Sequence, residues 1–124
     1  MKFINSESAP APIGPYSQAI AAGDLIFTSG QIALDAGTGQ IVSQNIEEQT
    51  HRVIKNLEAV LLAGNSNLSK VVKTTIYLAN MDDFATVNDI YAQYFAASKP
   101  ARSTVEVSCL PRNVLIEIDC IAEK

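Results

Sequence analysis

Two opposite charges sit inside a C-terminal stretch that otherwise has the pattern of sheet interior, and this constrains the chain more than any other feature. From Lys99 to Ile121 the sequence is KPARSTVEVSCLPRNVLIEIDCI. Residues Arg102 to Val107 alternate, with Ser103, Val105 and Val107 on one face and Arg102, Thr104 and Glu106 on the other, which is the period of a β-strand. Pro111, in Leu110-Pro111-Arg112, cannot donate to a sheet ladder, so the chain turns there and resumes as a second strand, Val114 to Ala122. Glu117 lies between Ile116 and Ile118. A carboxylate in an apolar strand costs desolvation energy unless it is paired or faces water, so this strand needs either a cation or a wet cavity.

The rest of the chain supplies the other elements. Residues 1 to 15 hold three of the five prolines, Pro10, Pro12 and Pro15, and read as an extended arm ending in a turn at Ile13-Gly14-Pro15. Tyr16 to Ala22 and Leu25 to Ser29 flank Gly23-Asp24 as a tight hairpin. Gln31 to Leu34 and Gln40 to Val42 flank Asp35 to Gly39 as a second one; its Gly37-Thr38-Gly39 lacks the Gly-Lys-Ser/Thr and following helix of a phosphate loop. A helix is expected from Ile46 to Ala63, capped by Asn45 with Glu48 three residues on and closed by Gly64. Ile46, Val53, Ile54, Leu57, Val60 and Leu61 form its buried stripe, and Glu47, Lys55, Glu58 and His51 its solvated side. Val72 to Leu78 is a strand rich in β-branched residues. A second helix, Phe84 to Ala97, follows, with Phe84, Val87, Asn88, Tyr91, Tyr94 and Phe95 on one face. Asn88 is the odd member, because an amide on a packed stripe needs hydrogen-bond partners.

The pattern is α+β: about six strands and two helices in a single domain, residues 1–124. Two helices cover one face of such a sheet, and the apolar residues left on the other point to a homo-oligomer. The net charge of −4, with nine Lys and Arg scattered among thirteen Asp and Glu, disfavours nucleic-acid partners. No apolar run reaches the roughly 18 residues of a membrane span, and the first residues lack the apolar core of a signal peptide, so a cytoplasmic protein is expected. Cys109 and Cys120 have no CxxC spacing and read as reduced, packed thiols. His51, alone on a helix, reads as a surface residue.

Residue chemistry leaves Arg102 and Glu117 open. A structural reading makes them each other's ion-pair partner. A functional one uses the planar Arg102 fork to clamp a carboxylate with two parallel hydrogen bonds. Glu117 would then handle water.

The run Pro100-Ala101-Arg102-Ser103-Thr104-Val105, followed after the Leu-Pro turn by Ile116-Glu117-Ile118, resembles the signature of the RidA (YjgF) family of imine deaminases. Ala11 to Ala19, APIGPYSQA, matches as well, as do Thr28-Ser29-Gly30-Gln31-Ile32, Val72-Lys73-Thr74-Thr75 and Asp83 to Asn88, DFATVN, in the family's order. The resemblance covers essentially the whole chain. It implies a chorismate-mutase-like fold with a mixed sheet, assembled as a homotrimer with clefts between subunits. It implies hydrolysis of 2-imino acids and their enamine tautomers, such as 2-aminoacrylate and 2-aminocrotonate, to 2-keto acids and ammonia, with no metal and no cofactor. Arg102 would bind the substrate carboxylate and Glu117 would position water. Tyr16, Ser29, Gly30, Asn88 and Thr104 would line the pocket. Many members carry Cys where this chain has Thr104, so a thiolate role at that position is not expected here. Two other classes stay open: a metabolite-binding regulatory module using the same clamp without turnover, and a ribonuclease or translation inhibitor.

Overall fold

The computed structural model describes residues 1–124. Six strands form one sheet: β1 Lys2–Ile4, β2 Ala19–Ala22, β3 Leu25–Thr28, β4 Val71–Leu78, β5 Ala101–Glu106 and β6 Ile116–Glu123, in the order β1-β2-β3-β6-β4-β5. All neighbours are antiparallel except β4 and β5. Parallel neighbours need a crossover, and α2, Phe84–Phe95, provides it.

The first helix, α1, runs from Ile46 to Ala63 as its sequence signals require. Asn45 is extended, its Oδ1 accepts the Glu48 N–H at 3.1 Å, and two glutamates in the first turn suit the positive end of the dipole. The Gly64 N–H closes the other end on the Leu61 carbonyl. Val53, Ile54, Leu57, Val60 and Leu61 are fully buried. Each such side chain contributes about 1.5–3 kcal/mol over leaving it exposed.

Alternation along β4 and β6 divides the sheet into two unlike faces. Thr74, Ile76 and Leu78, with Ile116, Ile118, Cys120 and Ala122, are buried beneath the helices. The Tyr91 hydroxyl of α2 meets Thr74 Oγ1 at 2.7 Å, which puts α2 on this face too. Lys73, Thr75 and Tyr77, with Glu117, Asp119 and Ile121, take the other face. There Phe3, Ile20, Phe27 and Ile121 stand in register across β1, β2, β3 and β6. Phe3 is 70% and Phe27 41% exposed, so one chain leaves an apolar row uncovered.

The structure departs from the sequence reading in four places. The arm begins with a strand, β1, held by pairing to β2. The second hairpin is shorter than expected: Leu34 and Ile41 form its single antiparallel bridge, and Gln31 bridges to Ile118 instead of extending it. Asp35 Oδ1 accepts from the Gly37 and Thr38 N–H groups within the turn, and across it the Asp35 N–H bonds to the Gln40 carbonyl and the Val42 N–H to the Ala33 carbonyl. Cys109 is exposed rather than packed; only Cys120 is buried. His51 is half-buried, with Nδ1 2.6 Å from the Tyr94 hydroxyl. No helix is long and apolar enough to cross a membrane.

Candidate active site

Glu117 opens into a cavity of about 480 Å³, lined with it by Tyr16, Ser29, Gly30, Gln31 and Arg112 among others. Gly30 is required by this arrangement: a Cβ there would run into Glu117 Oε2 and lie 2.7 Å from its carboxyl carbon. The glutamate side chain therefore lies against bare backbone. Ser29 donates its hydroxyl to the Ser17 carbonyl at 2.6 Å, which leaves its oxygen free only to accept. Burial first, and the charge of Asp119 second, raise the Glu117 carboxyl above its ordinary value, so it holds its proton further toward neutral than a solvated glutamate.

Buried amides hold the walls of this cavity. Gln18, 2% exposed, accepts the Ser6 N–H at 2.6 Å and donates to the carbonyls of Ser6 and Pro10, at 3.1 and 2.9 Å. It thereby fastens the proline-rich arm as one wall. From α1, Asn56 donates to the Ile32 and Leu34 carbonyls at 3.1 and 3.0 Å and fixes the wall opposite. Arg112, with φ of +57°, donates to the Gly39 carbonyl at 2.7 Å. The sequence reading missed Gln18, Asn56 and Arg112 as site residues. Leu110-Pro111-Arg112 marked the turn, but nothing local signals that the turn reaches the cavity.

Arg102 and Asn88 lie elsewhere, in a cleft of about 380 Å³ lined also by Tyr91, Phe95, Lys99 and Pro100. The Arg102 guanidinium donates to Asn88 Oδ1 at 2.7 Å. Its central carbon sits 4.9 Å from the Tyr91 ring centroid and 5.5 Å from that of Phe84. The partner that Asn88 needed is thus Arg102 itself. Thr104 lines neither cavity, and its hydroxyl is buried with no hydrogen-bond partner.

Strand register shows why the expected residues divide into two sets. Arg102 pairs with Thr74 and Glu117 with Tyr77, and positions 74 and 77 of one strand point to opposite faces. Within one chain, Arg102 faces the helices and Glu117 faces away. They are not an ion pair: the only ion pair is Lys55–Glu58, at 3.5 Å on α1. Within one chain, the reading of Glu117 as the ion-pair partner of Arg102 therefore fails.

The family model described as Endoribonuclease L-PSP matches residues 6–124. The chain belongs to that family, the RidA (YjgF) proteins. It is 54% identical to Reactive Intermediate Deaminase A, chloroplastic, of Arabidopsis thaliana, over 98% of this chain and 65% of that protein. It is 46% identical to the 2-iminobutanoate/2-iminopropanoate deaminase of Mus musculus, over 98% of this chain and 90% of that one. Among solved structures, YyfA of Yersinia pestis, described as a Rid-family protein, is 48% identical and superposes with a TM-score of 0.97 over 99% of this chain and 98% of its own. Deamination of reactive imines is thus an activity named within the RidA family, and this chain has the family's α+β architecture of two helices and a six-stranded mixed sheet.

Proposed function

We propose that this chain hydrolyses 2-imino acids and their enamine tautomers to 2-keto acids and ammonia, in sites each built from two copies of the chain. The observation that carries this reading is a complementary pair of groups without side-chain ion-pair partners, a guanidinium and a carboxyl. Arg102 lines one cleft and Glu117 another, and neither is in an ion pair with a side chain of the chain. A substrate with a carboxylate at one end and an electrophilic C=N carbon at the other would satisfy both, provided that the two clefts meet.

One chain cannot bring them together, because the sheet separates them. A homotrimer, closed by the apolar row on the uncovered face, would set the β5 edge of one copy against the Glu117 cavity of its neighbour. Arg102, oriented by Asn88 and the two rings, would clamp the carboxylate with its fork. Tyr16, Ser29 and Gly30 would line the opposite wall, with Thr104 near the seam. Glu117 would take a proton from the attacking water and give one to the departing nitrogen, both parts of general acid–base catalysis. The imines would come from pyridoxal-phosphate enzymes that dehydrate serine and threonine, and the work would lie in the cytoplasm. Ribonuclease chemistry, which the family's description suggests, has little support here: the net charge is −4, and the single His bonds to Tyr94 and lines neither cleft.

The test couples the protein to a threonine dehydratase and traps the released imine with semicarbazide. Wild type is expected to suppress the adduct, and Arg102→Ala to lose suppression by at least about 100-fold. A folded wild type that binds keto acids but suppresses nothing would leave a regulatory binding module as the reading.

A further inference from the structure

On the sheet face away from the helices, β6 presents Glu117 and Asp119, two residues apart and so about 7 Å from each other. Tyr77 on β4 stands directly across from Glu117, and Thr75 across from Asp119. The Tyr77 hydroxyl does not serve its own cross-strand neighbour. It runs along the sheet and donates to Asp119 Oδ2 at 3.0 Å. Burial, and then the Asp119 bond and charge, push the phenol's pKa up, so Tyr77 keeps the proton that it donates.

Two carboxyl groups therefore share one face, with a neutral donor bonded to one of them and no cation paired with either. Lys73, on the same face of β4, is turned toward β5. Its Nζ donates to the Thr74 carbonyl at 3.0 Å, to Ser103 Oγ at 3.4 Å and to Thr75 Oγ1 at 3.5 Å. The other titratable groups around the Glu117 cavity are Tyr16, from the arm, and Arg112, bonded to the Gly39 carbonyl. Ser29, Gly30 and Gln31, on the β3 side, bring no charge.

We propose that Asp119 and Tyr77 are positioning residues for Glu117: the phenol fixes the Asp119 carboxylate on the sheet face that Glu117 shares, next to the group that hands a proton to the substrate nitrogen. The destination of the proton rests on the imine-hydrolysis reading; the coupling between the two carboxyls does not.

The reaction balances in protons when each half starts from the protonated form of Glu117. Protonated Glu117 gives its proton to the imine nitrogen. As the water oxygen adds to the carbon, the carboxylate takes a proton from that water, leaving a carbinolamine and a protonated Glu117. In the second half Glu117 protonates the amine. The C–N bond then breaks with its electron pair going to nitrogen, ammonia departs, and the carboxylate takes the hydroxyl proton as the keto group forms. Each half begins and ends with Glu117 protonated, so activity should fall as pH rises through its titration.

The test follows the Glu117 carboxyl carbon by NMR titration and, separately, the pH–rate profile of imine hydrolysis. Asp119→Asn is expected to lower the Glu117 midpoint and to move the alkaline limb of the profile down by the same amount. Asp119→Glu, which keeps the charge, is expected to restore the limb. Tyr77→Phe leaves the charge but frees it to turn toward water, so it is expected to move the limb the same way by less. An unchanged Glu117 midpoint in folded Asp119→Asn overturns the proposal. Midpoints that move as expected in a protein that hydrolyses no imine support the coupling and overturn the deaminase reading alone.

Discussion

The cavity around Glu117 is walled by backbone that buried amides hold in place, whereas the cleft around Arg102 lies along β5, an edge strand that only β4 pairs. On the Glu117 side, Gln18 and Asn56 leave the arm and the 31–34 segment little freedom, and Gly30 gives up its side chain so that the glutamate can lie on it. On the Arg102 side, the guanidinium is oriented by one amide and two rings, and every β5 residue except Thr104 is exposed. A half-site that has its walls differs from a half-site that has only its anchor. The first is built by local folding; the second needs a surface from another chain.

The comparison breaks most sharply at Gly30. Gly30→Ala forces the glutamate aside, and displacements of about 1 Å at a reacting group cost on the order of 100-fold in rate, so hydrolysis should fall by about that much. Carboxylate binding through Arg102 should persist, as keto-acid titration would show. The reciprocal change, Asn88→Ala, removes the only side-chain acceptor bonded to Arg102. Hydrogen bonds to charged groups are worth about 1.5–3 kcal/mol, so KM should rise by about 10-fold or more while kcat changes little. Steady-state kinetics separate the two.

A smaller effect concerns stability. Glu117 is raised in the folded chain, so the folded state binds more protons than the unfolded one above the ordinary carboxylate value, and stability falls as pH rises through that window. Glu117→Gln removes this loss. Thermal melts should find the variant inactive yet more stable than wild type near neutral pH, and no more stable below about pH 4. The smallest effect concerns the thiols. Burial pushes Cys120 up to about 12, while Cys109 is exposed, so a thiol reagent should titrate one group at once and the second only on unfolding. Blocking Cys109 should leave melting unchanged.

What the sequence revealed follows from what is local. Asn45, Glu48 and Gly64 delimit α1 by interactions within a turn of either end, and Gly23-Asp24 closes the β2–β3 hairpin by its own geometry. β1 escaped because Lys2–Ile4 is three residues long and forms only by pairing with residues 19–21. The second hairpin forms but is cut short: the Asp35 N–H bonds to the Gln40 carbonyl and the Val42 N–H to the Ala33 carbonyl, while Asn56 takes the carbonyls of Ile32 and Leu34 that a longer ladder would have used. Arg102 and Glu117 were legible as charges in strand sequence. Their separation was not, because it depends on both strands' register against β4. Nor was Tyr77–Asp119, a contact across 42 residues.

The measurement that bears most directly on the two-copy site mixes inactive variants. Arg102→Ala and Glu117→Gln chains are unfolded together, refolded at equal concentration and assayed for imine hydrolysis. If each site takes Arg102 from one chain and Glu117 from its neighbour, random assembly into a closed ring should return roughly a quarter of wild-type activity, carried by sites with both native residues. If each site draws both residues from one chain, the mixture should remain as inactive as its parts, and that result would contradict the two-copy site.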